Sequence, residues 1–295
     1  MYISIIAFTF TLGVGFTFLA SNNNEVALAN ASKNNSQVTP LEEKDTAVTK
    51  EDIHYKMLNS IQFYEKAKGS FIFHSDSLNE DKQVDYNVKV KNGAFSKVKV
   101  ISNNSSSYES MYSSLDQTYT EENLDEKNYW KMKAAPVSEN SKEIPKTKLG
   151  QKEEIATRYS QKNGIQKVYT NLPDPSYMGY PSISLYPQDV ALGYLEDYNN
   201  WDIVSNNEKL NNLDVVVIQG NLNRSYQEKH GALTFKLWVQ KDTGILLKLE
   251  EYNGNGKTVE SLKTTDIKLD SKVTDQNYKI AIPSNFKEVK PEVGK

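Results

Sequence analysis

Apolar positions recur along this chain in distinct regimes, and each change of regime marks an element. Ile53, Met57, Ile61 and Tyr64 are spaced by four, four and three, with Leu58 beside them, which is one face of a helix. Thr49-Lys50-Glu51-Asp52 ahead of it offers a hydroxyl and carboxylates to the unpaired amides of a first turn. Lys66 and Lys68 then fall in the last turn, and Gly69 is the expected stop. After that the period drops to two. Phe71 and Phe73 alternate with polar residues, as do Val84, Tyr86, Val88 and Val90. Asn92-Gly93 follows, and Val98 and Val100 return between lysines, which predicts two strands around a tight turn. Phe95 is out of phase with Val98 and Val100, and a bulge beside the turn is expected.

Farther on, Tyr108, Met111, Tyr112, Tyr119, Tyr129 and Trp130 are spaced aromatic and apolar residues in a polar background, read as short strands over 108–113, 117–120 and 128–132. Residues 148–163 read as a helix. A proline-rich crossing from Leu172 to Pro181 leads to a second helix starting at Pro187, with Asp189 near its positive end. Ala191, Tyr194, Leu195, Tyr198 and Trp201 form its stripe. The last third alternates again: Val215 to Ile218 before Gly220, then Leu233, Phe235, Leu237 and Val239, a turn at Asp242-Thr243-Gly244, and Ile245, Leu247 and Leu249 returning. Asn253-Gly254-Asn255-Gly256 turns the chain once more into a strand over 258–269. Helix, meander, helix, meander predicts an α+β fold in which helices cover one apolar face of a curved antiparallel sheet.

The N-terminus follows another rule. No charged residue occurs between Tyr2 and Asn24, and Ile5, Ile6, Phe8, Phe10, Leu12, Val14, Phe16, Phe18 and Leu19 make the stretch strongly apolar. Ala27-Leu28-Ala29 supplies a small-x-small site, so residues 1–29 read as a secretory signal peptide, with an uncleaved membrane anchor as the alternative. Either places the rest of the chain outside the cytoplasm. Residues 30–50 are polar and read as a flexible linker, and 51–295 as the folded domain.

Composition narrows the function classes. The 295 residues carry 35 Lys and Arg against 38 Asp and Glu, interspersed and without a basic stripe, so nucleic acid is not an expected partner. No cysteine is present, which removes disulfides, thiolate metal sites, thiol nucleophiles and a lipidated cysteine together. Asp242-Thr243-Gly244 has the triplet of aspartic proteases, but that chemistry needs a second carboxylate triplet and none exists; a hairpin turn explains all three residues. His54, His74 and His230 are far apart, and His54 reads as a surface residue of a first helical turn. The acidic group Asp116, Glu121, Glu122, Asp125 and Glu126 lacks calcium-loop spacing and reads as a solvated loop. No catalytic, cofactor or metal signature survives, so a non-enzyme is expected. If the sheet curls and the helices cover it only in part, Phe71, Phe73, Tyr86, Val88, Phe235, Leu237, Leu247 and Leu249 would line an apolar cavity, although pattern alone favours a filled core.

The order of elements, and above all Phe235-Lys-Leu237-Trp238-Val239-Gln-Lys-Asp242-Thr243-Gly244-Ile245-Leu246-Leu247-Lys248, resembles the LolA-like superfamily of outer-membrane lipoprotein carriers and the related regulators of envelope-stress sigma factors. The likeness covers residues 51–285. It implies an open, unclosed β-barrel with helices at its mouth and an apolar interior. It also implies one of two partners: an acyl chain or lipoprotein, or a membrane anti-sigma protein bound by a regulatory module. A monomer is expected. The carriers latch their helices with an arginine, and Arg158 and Arg224 match no such position.

Overall fold

The computed structural model describes residues 18–19, 48–135, 137, 145, 147–162, 165–168, 173–273 and 280–290. Apart from Phe18 and Leu19, the expected signal peptide or anchor lies outside them, as does most of the linker.

Helix α1 (Lys50–Leu58) starts where the capping pattern placed it. Thr49 Oγ1 accepts the Asp52 amide and the Asp52 carboxylate accepts the Thr49 amide, so two orphan donors are satisfied reciprocally. The helix stops well before Gly69. Its end is Asn59, whose side-chain amide donates to the Tyr55 carbonyl at 2.9 Å and so competes with the helical ladder. Ile61 follows in a single 3-10 turn, and Lys66, Lys68 and Gly69 belong to a strand.

Strands β1 (Lys66–Ser75), β2 (Glu80–Lys89), β3 (Phe95–Ser102), β4 (Tyr108–Ser113), β5 (Thr118–Asn123) and β6 (Asn128–Lys133) form the first meander. Helices α2 (Lys148–Thr157), α3 (Ser182–Leu185) and α4 (Gln188–Tyr194) follow. The second meander is β7 (Trp201–Leu210), β8 (Leu213–Asn221), β9 (Thr234–Gln240), β10 (Leu246–Tyr252) and β11 (Thr258–Leu269), with α5 (Arg224–His230) between β8 and β9. A short β12 (Lys287–Glu288) joins β6 in parallel. Pairing of β11 with β1, from Glu260 opposite Ser75 to Leu269 opposite Ala67, fuses the meanders into one 12-stranded sheet ordered β7-β8-β9-β10-β11-β1-β2-β3-β4-β5-β6-β12. The sheet is curved and not closed, antiparallel apart from β12, as the fold expectation had it. Tyr159–Lys162, Ile165–Val168 and Phe18–Leu19 make a separate small sheet.

Several boundaries differ from expectation, each for a local reason. The β2–β3 register runs unbroken from Lys82 opposite Ser102 to Lys89 opposite Phe95, so the expected bulge is absent. Asn92 and Gly93, at φ of 55° and 92°, turn the chain, and Phe95 is simply a buried residue of the other face. Helix α2 ends at Thr157, and strand follows from Tyr159. Helix α4 ends at Tyr194, because Asp197 gathers the Asn199 amide and the Asn200 side chain into a turn. Tyr198 and Trp201 therefore leave the helical stripe, although Trp201 is still buried and its indole donates to the Leu195 carbonyl. Glu121 and Glu122 lie on β5 and not in a loop, and Glu122 is buried.

Candidate functional site

The strand registers align residues from both meanders into rows across one face. Ile218, Leu237, Leu249, Leu262 and Phe73 stand opposite one another in turn across β8, β9, β10, β11 and β1. Thr264, Phe71, Val84 and Val100 form the next row toward β3. Period two then brings Phe235, Tyr86 and Val88 onto the same face. Phe71, Phe73, Tyr86, Val88, Phe235, Leu237, Leu247 and Leu249 all belong to one core cluster, each no more than 4% exposed.

Short helices and their connections roof this face. Helix α1 packs on α2 and α4, and α3 lies on β10. Tyr180, ahead of α3, meets Phe73 edge-on with ring centres 6.0 Å apart, and Tyr194 of α4 stands 5.1 Å from Phe235. Polar contacts fasten the roof at its ends. Ser60 donates to the Leu185 carbonyl and Ser184 to the Leu246 carbonyl. The Lys50 ammonium donates to the carbonyls of Tyr198 and Trp201 and pairs with Asp202.

Asp242-Thr243-Gly244 proves to be one of these fastenings. The Gln240 side-chain oxygen accepts the Asp242 and Thr243 amides and the Thr243 hydroxyl, closing a tight turn. Gly244, at φ +78°, lies so close to α1 that a Cβ there would overlap the Lys56 carbonyl and stand 2.6 Å from the Met57 nitrogen. Lys56 closes the contact by donating to the Lys241 carbonyl at 2.5 Å, and burial lowers its pKa. The most specific stretch of sequence is thus where the second meander receives the first helix.

Polar groups also lie under the roof. Arg158 is completely buried beside α1, donating through Nη2 to Asn59 at 2.6 Å and standing 3.6 Å from Glu154. Its Nε and Nη1 have no hydrogen-bond partner among the described residues, nor do the hydroxyls of Tyr64 and Tyr86. Tyr186 feels the charges of both Arg158 and Asp174, and Tyr64 those of Asp174 and Tyr86, so these groups share one interior. Burial raises the pKa of Tyr64 and Tyr86 far enough to keep both phenols protonated, and it raises Asp174 against the hydrogen bonds from Ser176 and the Met178 amide. Sequence spacing gave no sign of this group, because Tyr64, Tyr86, Arg158 and Asp174 come from four separate segments.

Two histidines depart from their expected settings. His54 is fully buried and not on the surface: its ring nitrogens lie 3.1 Å from the Tyr198 hydroxyl and 3.0 Å from that of Tyr159. Burial, reinforced by the Arg158 charge, lowers its pKa to about 3, so it is a neutral link between α1 and the segments after α2 and α4. His230 meets Glu251 and Glu260, which the spacing of histidines alone could not reveal. A groove of about 340 Å³ opens on the opposite face of the sheet between Ile72, Gln83 and Ile101, and none of the eight expected lining residues borders it.

No protein-family model matches the chain, and no curated protein matches it. Among solved structures it is similar to MucB of Pseudomonas aeruginosa in complex with MucA, at 10% identity over 79% of this chain and 61% of that one, with a TM-score of 0.38. It is also similar to LprF of Mycobacterium bovis, at 12% identity over 80% and 97% of the two chains and a TM-score of 0.37. The lipoprotein LppX of Mycobacterium tuberculosis matches at 9% identity over 78% and 98%, with a TM-score of 0.34. The chain spans about three fifths of the length of MucB. At these identities and TM-scores the likeness adds nothing to the account of the site.

Proposed function

We propose that this chain is a non-catalytic, extracytoplasmic binding protein that holds an acyl chain, as a lipid or a lipoprotein, between the apolar face of its sheet and the roof of α1, α3 and α4. The observation that carries the reading is the pairing of two features under one roof. A continuous apolar face extends over β8 to β11 and β1 to β3, and beside it stand the Tyr64 and Tyr86 hydroxyls and Nε and Nη1 of Arg158, buried with no acceptor among the described residues. Buried donors without acceptors are costly, about 1–3 kcal/mol each. An amphipathic ligand, with apolar chains on the sheet and ester or carboxylate oxygens at the donors, would satisfy both. Entry requires the roof to lift from the sheet.

The test uses the full chain purified from its exported fraction. Lipid extraction with mass spectrometry, followed by titration of the delipidated protein with a dipalmitoylated lipopeptide, should give co-purifying acyl chains and saturable one-to-one binding. A protein that emerges lipid-free and ignores the lipopeptide overturns the reading. One observation favours the regulatory alternative, a membrane anti-sigma partner. Strand β7 is a ten-residue edge with no further strand beyond it among the described residues, and a partner's extended segment would add to it. Recovery of a membrane protein by the intact chain, abolished by a Val204→Pro substitution in β7, would establish that second mode.

A further inference from the structure

At the rim of the same face, the row Phe235, Glu251, Glu260 and Ser75 replaces apolar residues with acids. Glu251 and Glu260 stand directly opposite each other on β10 and β11, and both are buried. Like charges facing across a ladder repel, and burial removes the water that would screen them. His230, from the last turn of α5, is the group that faces both: its Nδ1 lies 2.9 Å from Glu251 Oε2 and 3.8 Å from Glu260 Oε1. The remaining carboxylate oxygens are each taken by a hydroxyl. Tyr194 donates to Glu251 Oε1, and Ser75 donates to Glu260 Oε2 at 3.1 Å. Each acid is therefore held by its outer oxygen while its inner oxygen converges on the imidazole nitrogen.

We propose that His230, Glu251 and Glu260 form a binding site for a divalent transition-metal ion of the zinc class, with Tyr194 and Ser75 as the groups that orient the two carboxylates. The three ligand atoms lie within 4.8 Å of one another. Nitrogen and oxygen ligands about 2.0–2.2 Å from a tetrahedral ion stand about 3.3–3.6 Å apart, between the two separations observed at Nδ1. One imidazole with two carboxylates suits zinc and its neighbours better than calcium or magnesium, which prefer six or more oxygens. Hydroxyls holding the outer carboxylate oxygens are the usual second layer of such a site. A bound ion would neutralise the facing acids and tie α5 to the strand ends beneath α4.

The experiment strips the full chain with EDTA and adds Zn²⁺ alone, following uptake by calorimetry and by metal analysis after dialysis. One Zn²⁺ per chain is expected, lost in His230→Gln and in Glu260→Gln. Tyr194→Phe and Ser75→Ala should each weaken affinity by about tenfold or more while far-UV circular dichroism stays unchanged. Co²⁺ in place of Zn²⁺ should give the visible absorption of a low-coordinate site in the wild type. No uptake by the stripped wild type overturns the proposal, as does equal uptake by His230→Gln and Glu260→Gln. Should those variants fail to fold, unaltered affinity in both Tyr194→Phe and Ser75→Ala overturns it instead.

Discussion

Replacing Gly244 with alanine tests how tightly the second meander grips α1. Two costs combine there. A side chain at φ +78° occupies the left-handed region, at about 1–2 kcal/mol. The new Cβ also overlaps the Lys56 carbonyl and crowds the Met57 nitrogen, which are backbone atoms and have no rotamer to change. Overpacking of that kind costs about 1–3 kcal/mol, giving a total of about 2–5 kcal/mol. Gly231→Ala is the internal control, because Gly231 sits at φ +69° with nothing within 4 Å of its would-be Cβ and incurs the first cost alone. Urea unfolding of the two variants should therefore differ by about 1–3 kcal/mol, or about 2–12 °C in Tm for a folded unit of this size. Equal losses in the two variants would refute the claim that this turn is where α1 docks.

Stability should fall with acid through His54. Its folded pKa, about 3, lies below the unfolded value of 6.5, so the unfolded chain takes the proton first, and the contribution is complete above pH 6.5 and lost as pH drops toward 3. Between pH 7 and pH 5 the wild type should lose about 2 kcal/mol more than His54→Gln, measured by chemical denaturation at each pH. His74 acts in the opposite sense. Its hydrogen bonds to Asp81 and Asp76 raise its pKa, so its contribution is complete below pH 6.5 and fades as pH rises, and Asp81→Asn should shrink that limb while Asp76 retains the rest. Arg158→Ala removes the buried guanidinium that faces Glu154 and bonds Asn59 and should cost about 3–5 kcal/mol; a loss below 1 kcal/mol would refute the buried pair. Thr49→Ala removes the hydroxyl that accepts the Asp52 amide, while the Thr49 amide keeps its bond to the Asp52 carboxylate, and should cost about 1 kcal/mol, read as a lowered urea midpoint at unchanged m-value.

Much of this architecture was legible residue by residue. Period two with Asn92-Gly93, Asp242-Thr243-Gly244 and Asn253 to Gly256 between runs gave the hairpins, because a strand with one buried face must alternate and a two-residue reversal needs left-handed backbone. Thr49 and Asp52 marked the start of α1 for a similarly local reason. The eight residues expected to line an apolar interior are all buried in one core cluster, and strand parity, a property of the chain itself, aligns most of them. Strand β7 was invisible: it is an edge strand whose Ser205, Asn206, Asn207, Glu208 and Lys209 need no burial and so leave no pattern. Helices α3 and α5, of four and seven residues, are too short for a period to register.

What only the tertiary structure decided is how distant polar residues combine. Pairing of β11 with β1, across nearly two hundred residues, sets Ser75 beside Glu260 and Glu251, and α5 then delivers His230 to the same point. His54 reads from the sequence as a surface residue of a first helical turn, yet Tyr159 and Tyr198 come from elsewhere to enclose it. Local sequence determines which face of an element is apolar, since that follows from bond geometry and period. Which buried charges meet depends on long-range register and on the roof closing over the sheet, and neither is written in any one segment.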